Sequence, residues 1–161
     1  MQKTKYIAAA AAKWVLALLA LVFLIRISST GRTSSADFTA VADAVGGTVP
    51  MDQVVEGDRQ MIRRLYGLDP ADYEGVRLYY PSTNMGVEEV LVVKLSDLSQ
   101  QQAVRAAMEA RVQSQMDVFE SYAPEQYGIL QNSVIEVQGN YLLLAVGKDP
   151  AAAQRAFLEA L

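Results

Sequence analysis

The stretch GVRLYYPSTNMGVEEVLVVKL, residues 75–95, decides the fold of the chain. In residues 75–80, apolar side chains alternate with Arg77 and Tyr79, which is the pattern of a strand that buries one face. Residues 87–95 contain a run that is apolar on both faces, as in a central strand. The intervening PSTNMG is rich in turn-forming residues, so the stretch predicts an antiparallel hairpin.

A second hairpin is predicted near the C-terminus, where residues 133–138 pair with residues 141–147. Its two-residue link, Gly139-Asn140, suits a turn in which both residues take positive φ. Each hairpin is followed by a helix. We therefore expect an α+β domain in which a four-stranded antiparallel sheet, built from the two hairpins, is covered by helices.

Four helices are predicted from apolar periodicity and from their terminal residues. They cover residues 37–45, 56–66, 97–122 and 149–161. Gly67 is predicted to cap the second helix and Pro124 to end the third. The RAAMEA of residues 105–110 resembles the RAFLEA of residues 155–160. Either the strand–strand–helix unit occurs twice, or two alanine-rich helices match by chance.

The apolar segment from Ile7 to Ile25 reads IAAAAAKWVLALLALVFLI. It contains one charge, Lys13, and spans roughly 28 Å as a helix, close to the hydrocarbon thickness of a bilayer. One interpretation is a retained signal anchor, and the other is a cleaved signal peptide. Cleavage fits less well because Arg26 follows the segment directly and the best small-residue site, residues 34–36, lies well beyond it.

The flanking charges predict how this segment is oriented. Lys3 and Lys5 precede it, and Lys13 lies in its N-terminal half. Arg26 and Arg32 follow it, and the small positive bias keeps the N-terminus in the cytoplasm. The protein is therefore expected in the cell membrane as a single-pass protein with its C-terminal domain extracytoplasmic. The predicted domains are a signal anchor at residues 1–27, a flexible linker at 28–36 and an extracytoplasmic α+β domain at 37–161.

The chain contains no Cys and no His. These absences exclude disulfides, thiol chemistry, Ser-His-Asp and Cys-His catalysis, and His-ligated zinc. Residues 36–161 carry nine Lys/Arg and eighteen Asp/Glu, a net charge of −9, which disfavours binding to nucleic acid or to an anionic lipid surface. We expect no catalytic residue, no cofactor and no metal. Whether the domain is an enzyme stays open, with a non-enzymatic function favoured.

Two groups of acidic residues are candidate sites. Asp69, Asp72 and Glu74 could offer oxygens to a cation, but they do not match an EF-hand and are better explained as capping and solvation around a turn. Glu88 and Glu89 precede an apolar strand. We expect one of these two to point outward and the other to lie at the sheet edge, where water weakens their repulsion.

The segment FESYAPEQY, residues 119–127, combines three aromatic side chains with two acids and a proline at a predicted helix end. Aromatic and amide groups together can form a recognition surface. The candidate partner-binding residues are Tyr122, Glu125, Gln126 and Tyr127. The alternative is structural: the aromatic rings fix the helix end to the sheet, and the Glu-Gln pair caps the following turn.

Several short motifs follow one another in a recognisable order. They are residues 64–69 (RLYGLD), 89–94 (EVLVVK), 110–111 (AR), Phe119, Tyr122, 124–126 (PEQ) and 139–141 (GNY). In this order they resemble the bacterial domain-of-unknown-function family 4358, from about Phe38 to the C-terminus. The resemblance implies a secreted or membrane-anchored envelope protein of Gram-positive-type bacteria and brings no activity. Many members carry a lipoprotein cysteine, which this chain lacks, so its anchoring depends on residues 7–25.

These observations predict a membrane-tethered extracytoplasmic domain that acts as a non-enzymatic binding or adaptor module of the bacterial cell envelope. Its expected partners are the membrane, through residues 7–25, and an envelope protein or polymer that the sequence does not identify. Three alternatives stay open: an accessory factor or enzyme in envelope polymer modification, a structural protein that works by oligomerising, and a secreted domain released by signal-peptide cleavage.

Overall fold

A five-stranded antiparallel sheet lies at the centre of residues 33–161, which are the residues that the computed structural model describes. The strands are β1 (Val54–Gly57), β2 (Gly75–Pro81), β3 (Glu89–Lys94), β4 (Val134–Gln138) and β5 (Tyr141–Val146). Their order in the sheet is β1-β2-β3-β5-β4. Every residue of β3, the central strand, and of its neighbour β5 is buried, as expected for strands that are covered on both faces.

Five α-helices accompany the sheet within the described residues. They are α1 (Phe38–Gly46), α2 (Arg59–Tyr66), α3 (Gln101–Phe119), α4 (Pro124–Gln131) and α5 (Pro150–Ala160). The helices α1, α2 and α5 begin after Asp37, Asp58 and Asp149, whose carboxylates accept backbone N–H groups of the first turn. Gly67 ends α2 in the left-handed conformation, with φ 67°, as the sequence predicts.

The helices cover both faces of the sheet. On one face, Leu91 and Val93 of β3 pack with side chains of α2, α3 and α4 in a first apolar core. On the other face, Val90 and Val92 pack with side chains of α1 and α5, including the fully buried Phe157, in a second core. The strand alternation of β3 therefore divides its side chains between two cores.

The α+β class and both predicted hairpins are confirmed, but the sheet has five strands where four were predicted. The additional strand is β1, in which Val54 pairs with Pro81 and Gly57 with Leu78. The helix that was predicted to start at Glu56 begins instead at Arg59, because the preceding residues are held in the sheet. A four-residue strand gives too short a pattern to be recognised without its partner.

The order strand–strand–helix occurs twice along the described chain. β2, β3 and α3 form the first unit, and β4, β5 and α5 form the second. The two units meet where β3 pairs with β5, with Leu91 opposite Leu144. Their helices pack on opposite faces of the sheet.

Two local predictions need correction. Pro124 does not end the third helix, which already stops at Phe119, but starts helix α4, because proline is well tolerated at the first helical position. In the β4–β5 turn only Gly139 has positive φ, 57°, and Asn140 does not, which is the pattern of a turn with glycine at its first central position.

The start of the described chain is hydrogen-bonded to the end of the sheet where β3 finishes. Ser34 N donates to Asn140 Oδ1 at 2.8 Å. The carbonyl of Ala36 accepts from Lys94 Nζ at 3.1 Å and from the hydroxyl of Tyr141 at 2.8 Å. The last residues of the predicted linker are therefore held against the domain.

The predicted membrane segment, residues 7–25, lies outside the described residues. Within residues 33–161, no helix combines the length and apolar character that crossing a bilayer requires. The anchor and its orientation stay predictions.

Candidate functional site

A buried carboxylate, Glu89, lies at the start of β3 and is surrounded by hydrogen-bond donors. Its side chain is 0% exposed. Arg111 donates twice, from Nε to Oε1 at 3.0 Å and from Nη2 to Oε2 at 2.7 Å. Gln115 Nε2 donates to Oε2 at 3.3 Å, and the hydroxyl of Tyr66 donates to Oε1. We call these four residues the Glu89 network.

Three separate elements bring the network together. Glu89 points to the α3 face of the sheet because it has the same strand parity as Leu91. Arg111 and Gln115 are four residues apart on α3, so their side chains leave the same side of the helix. Tyr66 is the last residue of α2 and its ring is buried in the same core.

The protonation states of Tyr66 and Arg111 suit their roles as donors to Glu89. Burial, followed by the charge and hydrogen bond of Glu89, holds the pKa of Tyr66 well above its usual value of about 10, so its hydroxyl stays protonated and donates. Burial by itself lowers the pKa of Arg111, but the hydrogen bonds and charge of Glu89 outweigh it and the net pKa is raised. Glu89 accepts from three side chains, so both of its carboxylate oxygens already have donors.

A groove of about 360 Å³ lies above the network, between α2, the β2–β3 loop and α3. Its walls and floor are formed by Met61, Arg64, Leu65, Tyr80, Pro81, Thr83, Asn84, Gly86, Arg111, Ser114, Gln115, Val118 and Phe119. We call it the arginine groove. Among the described residues, no Asp or Glu lines it, although residues 36–161 carry a net charge of −9.

Arg111 and Gln115 belong to the Glu89 network and also line the arginine groove. The ion pair with Glu89 uses Nε and Nη2 of Arg111 and leaves Nη1 outside it. Gln115 Oε1 is the one buried side-chain nitrogen or oxygen of residues 33–161 that has no hydrogen-bond partner. The amide orientation is fixed, because a flip would turn Oε1 toward the Glu89 oxygen that now accepts from Nε2.

A comparison with protein families identifies the family of the chain. Residues 48–147 match the family model described as Domain of unknown function (DUF4358). The chain belongs to this family. Neither a curated protein nor a solved structure matches the chain. The match contains the whole Glu89 network, whereas α1 and α5 lie outside the matched range.

The partner-binding residues predicted from the DUF4358 sequence do not lie in the arginine groove. Tyr122 is 56% exposed, with its ring 5.6 Å from that of Phe119. Tyr127 is half-buried and packs against the first core. Glu125 and Gln126, in the first turn of α4, line a separate depression of about 290 Å³. Their role in partner binding stays a prediction.

The expectation for Glu88 and Glu89 is wrong. Both are buried, with 9% and 1% of their residue surface exposed, and Glu89 is paired with Arg111. The sequence contains one indirect signal of a buried carboxylate, which is that a charged residue opens an otherwise apolar strand. Tyr66, Glu89 and Arg111 also stand in three of the short motifs that carry the family resemblance.

The acidic group near Asp69 is explained by local structure. Asp69 accepts from Arg63 Nη2 at 2.6 Å and caps the backbone of Ala71. These bonds, with that of Arg63 first, hold the pKa of Asp69 below its usual range. Glu74 instead pairs with Lys94. No group of residues among 33–161 is arranged to hold a metal ion.

Proposed function

We propose that the chain is a membrane-tethered binding protein of the bacterial cell envelope, and that its DUF4358 domain binds its ligand in the arginine groove. The observation that carries the proposal is the floor of the groove. There Arg111 is held by a buried carboxylate, the exposed Arg64 lies nearby, and no Asp or Glu among the described residues lines the groove. A polar group that is already fixed in place favours ligand binding, because it needs little reordering when a ligand arrives.

The same geometry supports binding rather than catalysis. Among the described residues, no Lys, Asp or Glu lines the arginine groove, and the chain has neither His nor Cys. The acid beneath the floor, Glu89, is occupied by its donors, and the pKa of Tyr66 is raised out of the range of a general base. The groove can therefore orient a ligand, and among the described residues its lining contains no carboxylate or lysine for acid–base catalysis.

Photo-crosslinking in the source bacterium tests the binding site. A photoreactive residue is placed in the full chain at Val118, which is 54% exposed and lines the groove. The matched control is Leu158, which is 43% exposed on α5 at the other face. We expect a discrete crosslinked partner from Val118 alone. Equal products from both positions, or none from Val118, would contradict the proposal.

Membrane tethering is tested separately by fractionation. We expect the full chain to remain with membranes after carbonate washing, because residues 7–25 are apolar enough to span a bilayer. Mass spectrometry of the mature protein provides the opposing outcome. An N-terminus within residues 30–37 would show cleavage and remove the anchor from the proposal.

A further inference from the structure

We infer that a cavity on the α5 side of the sheet binds an organic ammonium group that is carried on a short alkyl chain. The cavity has a volume of about 310 Å³ and is lined by Glu88, Val90, Ala145, Lys148 and Ala153, among others. We call it the Glu88 cavity. It shares no residue with the arginine groove, so the inference goes beyond the proposed function.

The walls of the Glu88 cavity are mainly apolar. Val90 of β3, Ala145 of β5 and Ala153 of α5 belong to the second core and also line the cavity. Val49 and Pro50, which follow α1, add further apolar surface. A volume of about 310 Å³ lies at the small end of ligand pockets. The cavity therefore suits a short alkyl chain, whose binding removes apolar surface from water.

One carboxylate in the wall is nearly buried and has no cationic partner. Glu88 is 9% exposed, and no Lys or Arg among residues 33–161 forms an ion pair with it. Its Oε2 accepts from the N–H of Val87 at 3.1 Å, whereas Oε1 has no partner among these residues. Oε1 is open to solvent, because Gln115 Oε1 is the one sealed side-chain oxygen or nitrogen in this range that lacks a partner. A charge that is largely desolvated but still accessible favours a ligand of opposite charge.

The single free oxygen of Glu88 favours an ammonium over other cations. A guanidinium pairs best with both oxygens of a carboxylate, as Arg111 does with Glu89, but Oε2 of Glu88 already accepts from Val87. A quaternary ammonium has no N–H to donate and is typically bound by aromatic rings, which the described lining lacks. A metal ion requires several ligands, and residues 33–161 contain no group that could hold one.

The surroundings of the Glu88 cavity are acidic. The depression next to α4 shares Glu88 and Lys148 with the cavity, so the two are adjacent. Together their linings contain four acids and one base, which are Asp52, Glu88, Glu125, Asp149 and Lys148. This excess of negative charge attracts a cation. Lys148 is exposed, so its own ammonium competes with a ligand for Glu88.

Calorimetric titration of the purified full chain with alkyl probes at neutral pH tests the inference. The main probe is pentylamine, which is protonated under these conditions. Pentanol lacks the charge, pentylguanidine replaces the ammonium with paired N–H groups, and methylamine lacks the longer chain. We expect pentylamine to bind at least about tenfold more tightly than each of the other three. Equal binding of pentylamine and pentanol, or no binding of pentylamine, would overturn the inference.

Variants locate the binding site and separate it from the fold. Glu88→Gln removes the charge but keeps an oxygen that can accept from Val87, so we expect it to weaken pentylamine about tenfold. The matched control Glu109→Gln removes an exposed acid from α3 and should change binding less than twofold. Lys148→Gln removes the competing ammonium and should tighten binding severalfold. Unchanged binding in Glu88→Gln, or unchanged or weaker binding in Lys148→Gln, would overturn the inference.

Two further probes distinguish the sources of such an ammonium. N-acetyl-lysine methylamide represents a lysine side chain of a peptide, and diaminopentane represents a free amine. Tighter binding of the first assigns the ligand to a peptide and tighter binding of the second to a soluble amine, and both results uphold the ammonium chemistry. If Ca²⁺ binds in a Glu88-dependent manner and no amine does, the inference is overturned. These outcomes do not depend on crosslinking at Val118, which tests the arginine groove.

Discussion

Replacing Glu89 by Gln tests the Glu89 network most directly. The change keeps the volume of the side chain but removes the charge from a site that is 0% exposed, opposite an Arg111 side chain that is 17% exposed. Removing one partner of a buried ion pair typically costs about 3–5 kcal/mol, since the other charge is left unpaired. Whole domains are stable by about 5–15 kcal/mol, so the loss would be a large fraction of the total.

The assay is urea and thermal unfolding followed by circular dichroism. For a domain of this size, 1 kcal/mol corresponds to about 4 °C in Tm, so we expect Glu89→Gln to lower the Tm by about 12–20 °C. The matched control is Glu109→Gln, which breaks the exposed ion pair between Glu109 and Arg105 on the surface of α3. That variant should change stability by less than about 0.5 kcal/mol.

A double-mutant cycle with Arg111→Met assigns the effect to the pair. Removing both charges should restore part of the lost stability, with a coupling energy of at least about 1.5 kcal/mol. A Glu89→Gln variant within 0.5 kcal/mol of the native chain would refute the reasoning. A coupling energy near zero would also refute the reasoning, because the cost of removing the Glu89 charge would then not depend on Arg111.

Three further predictions concern other parts of the domain. Because the pKa of Tyr66 is raised in the folded state, the stability that its protonated hydroxyl contributes is complete below about pH 10 and is lost as the pH rises further. The free energy of unfolding should therefore fall less steeply above about pH 10 in Tyr66→Phe than in the native chain. An unchanged slope would contradict this prediction. Gly139→Val should lower the free energy of unfolding, measured in urea, by about 1–2 kcal/mol, because Gly139 has φ 57°. The control Gly147→Ala should leave it nearly unchanged, because a Cβ at Gly147 would have no atom within 4 Å. Replacing Glu125 and Gln126 together by Ala tests the partner site predicted from the sequence, and should change stability by less than about 0.5 kcal/mol. Loss of partner recovery in an envelope pull-down would place the partner at these residues rather than in the arginine groove, whereas early melting with recovery lost only in proportion would make the segment structural.

Much of the fold could be predicted from local signals in the sequence. The two hairpins follow from alternation and turn residues, and the ends of α1, α2 and α5 follow from aspartate caps and Gly67. The strand β1 could not be predicted, because four residues become a strand only through pairing with β2. Helix α4 was missed because Pro124 fits a helix end as well as a helix start.

The candidate site was harder to predict than the fold. Glu89 and Arg111 are 22 residues apart, and their contact depends on how α3 crosses the sheet. No local pattern encodes that crossing. The sequence drew attention instead to residues 119–127, because their aromatic and polar composition is visible locally. Those residues begin at the end of α3, next to the groove but not within its floor.

The Glu89 network is better understood as a positioning device than as a source of stability. Apolar side chains of similar volume would often serve a core as well as a buried ion pair, and this domain already has two apolar cores. What apolar side chains could not do is hold Arg111 at the groove floor and fix the amide of Gln115. If the variant with both charges removed regains stability but binds no ligand, then the ion pair serves the groove rather than the fold.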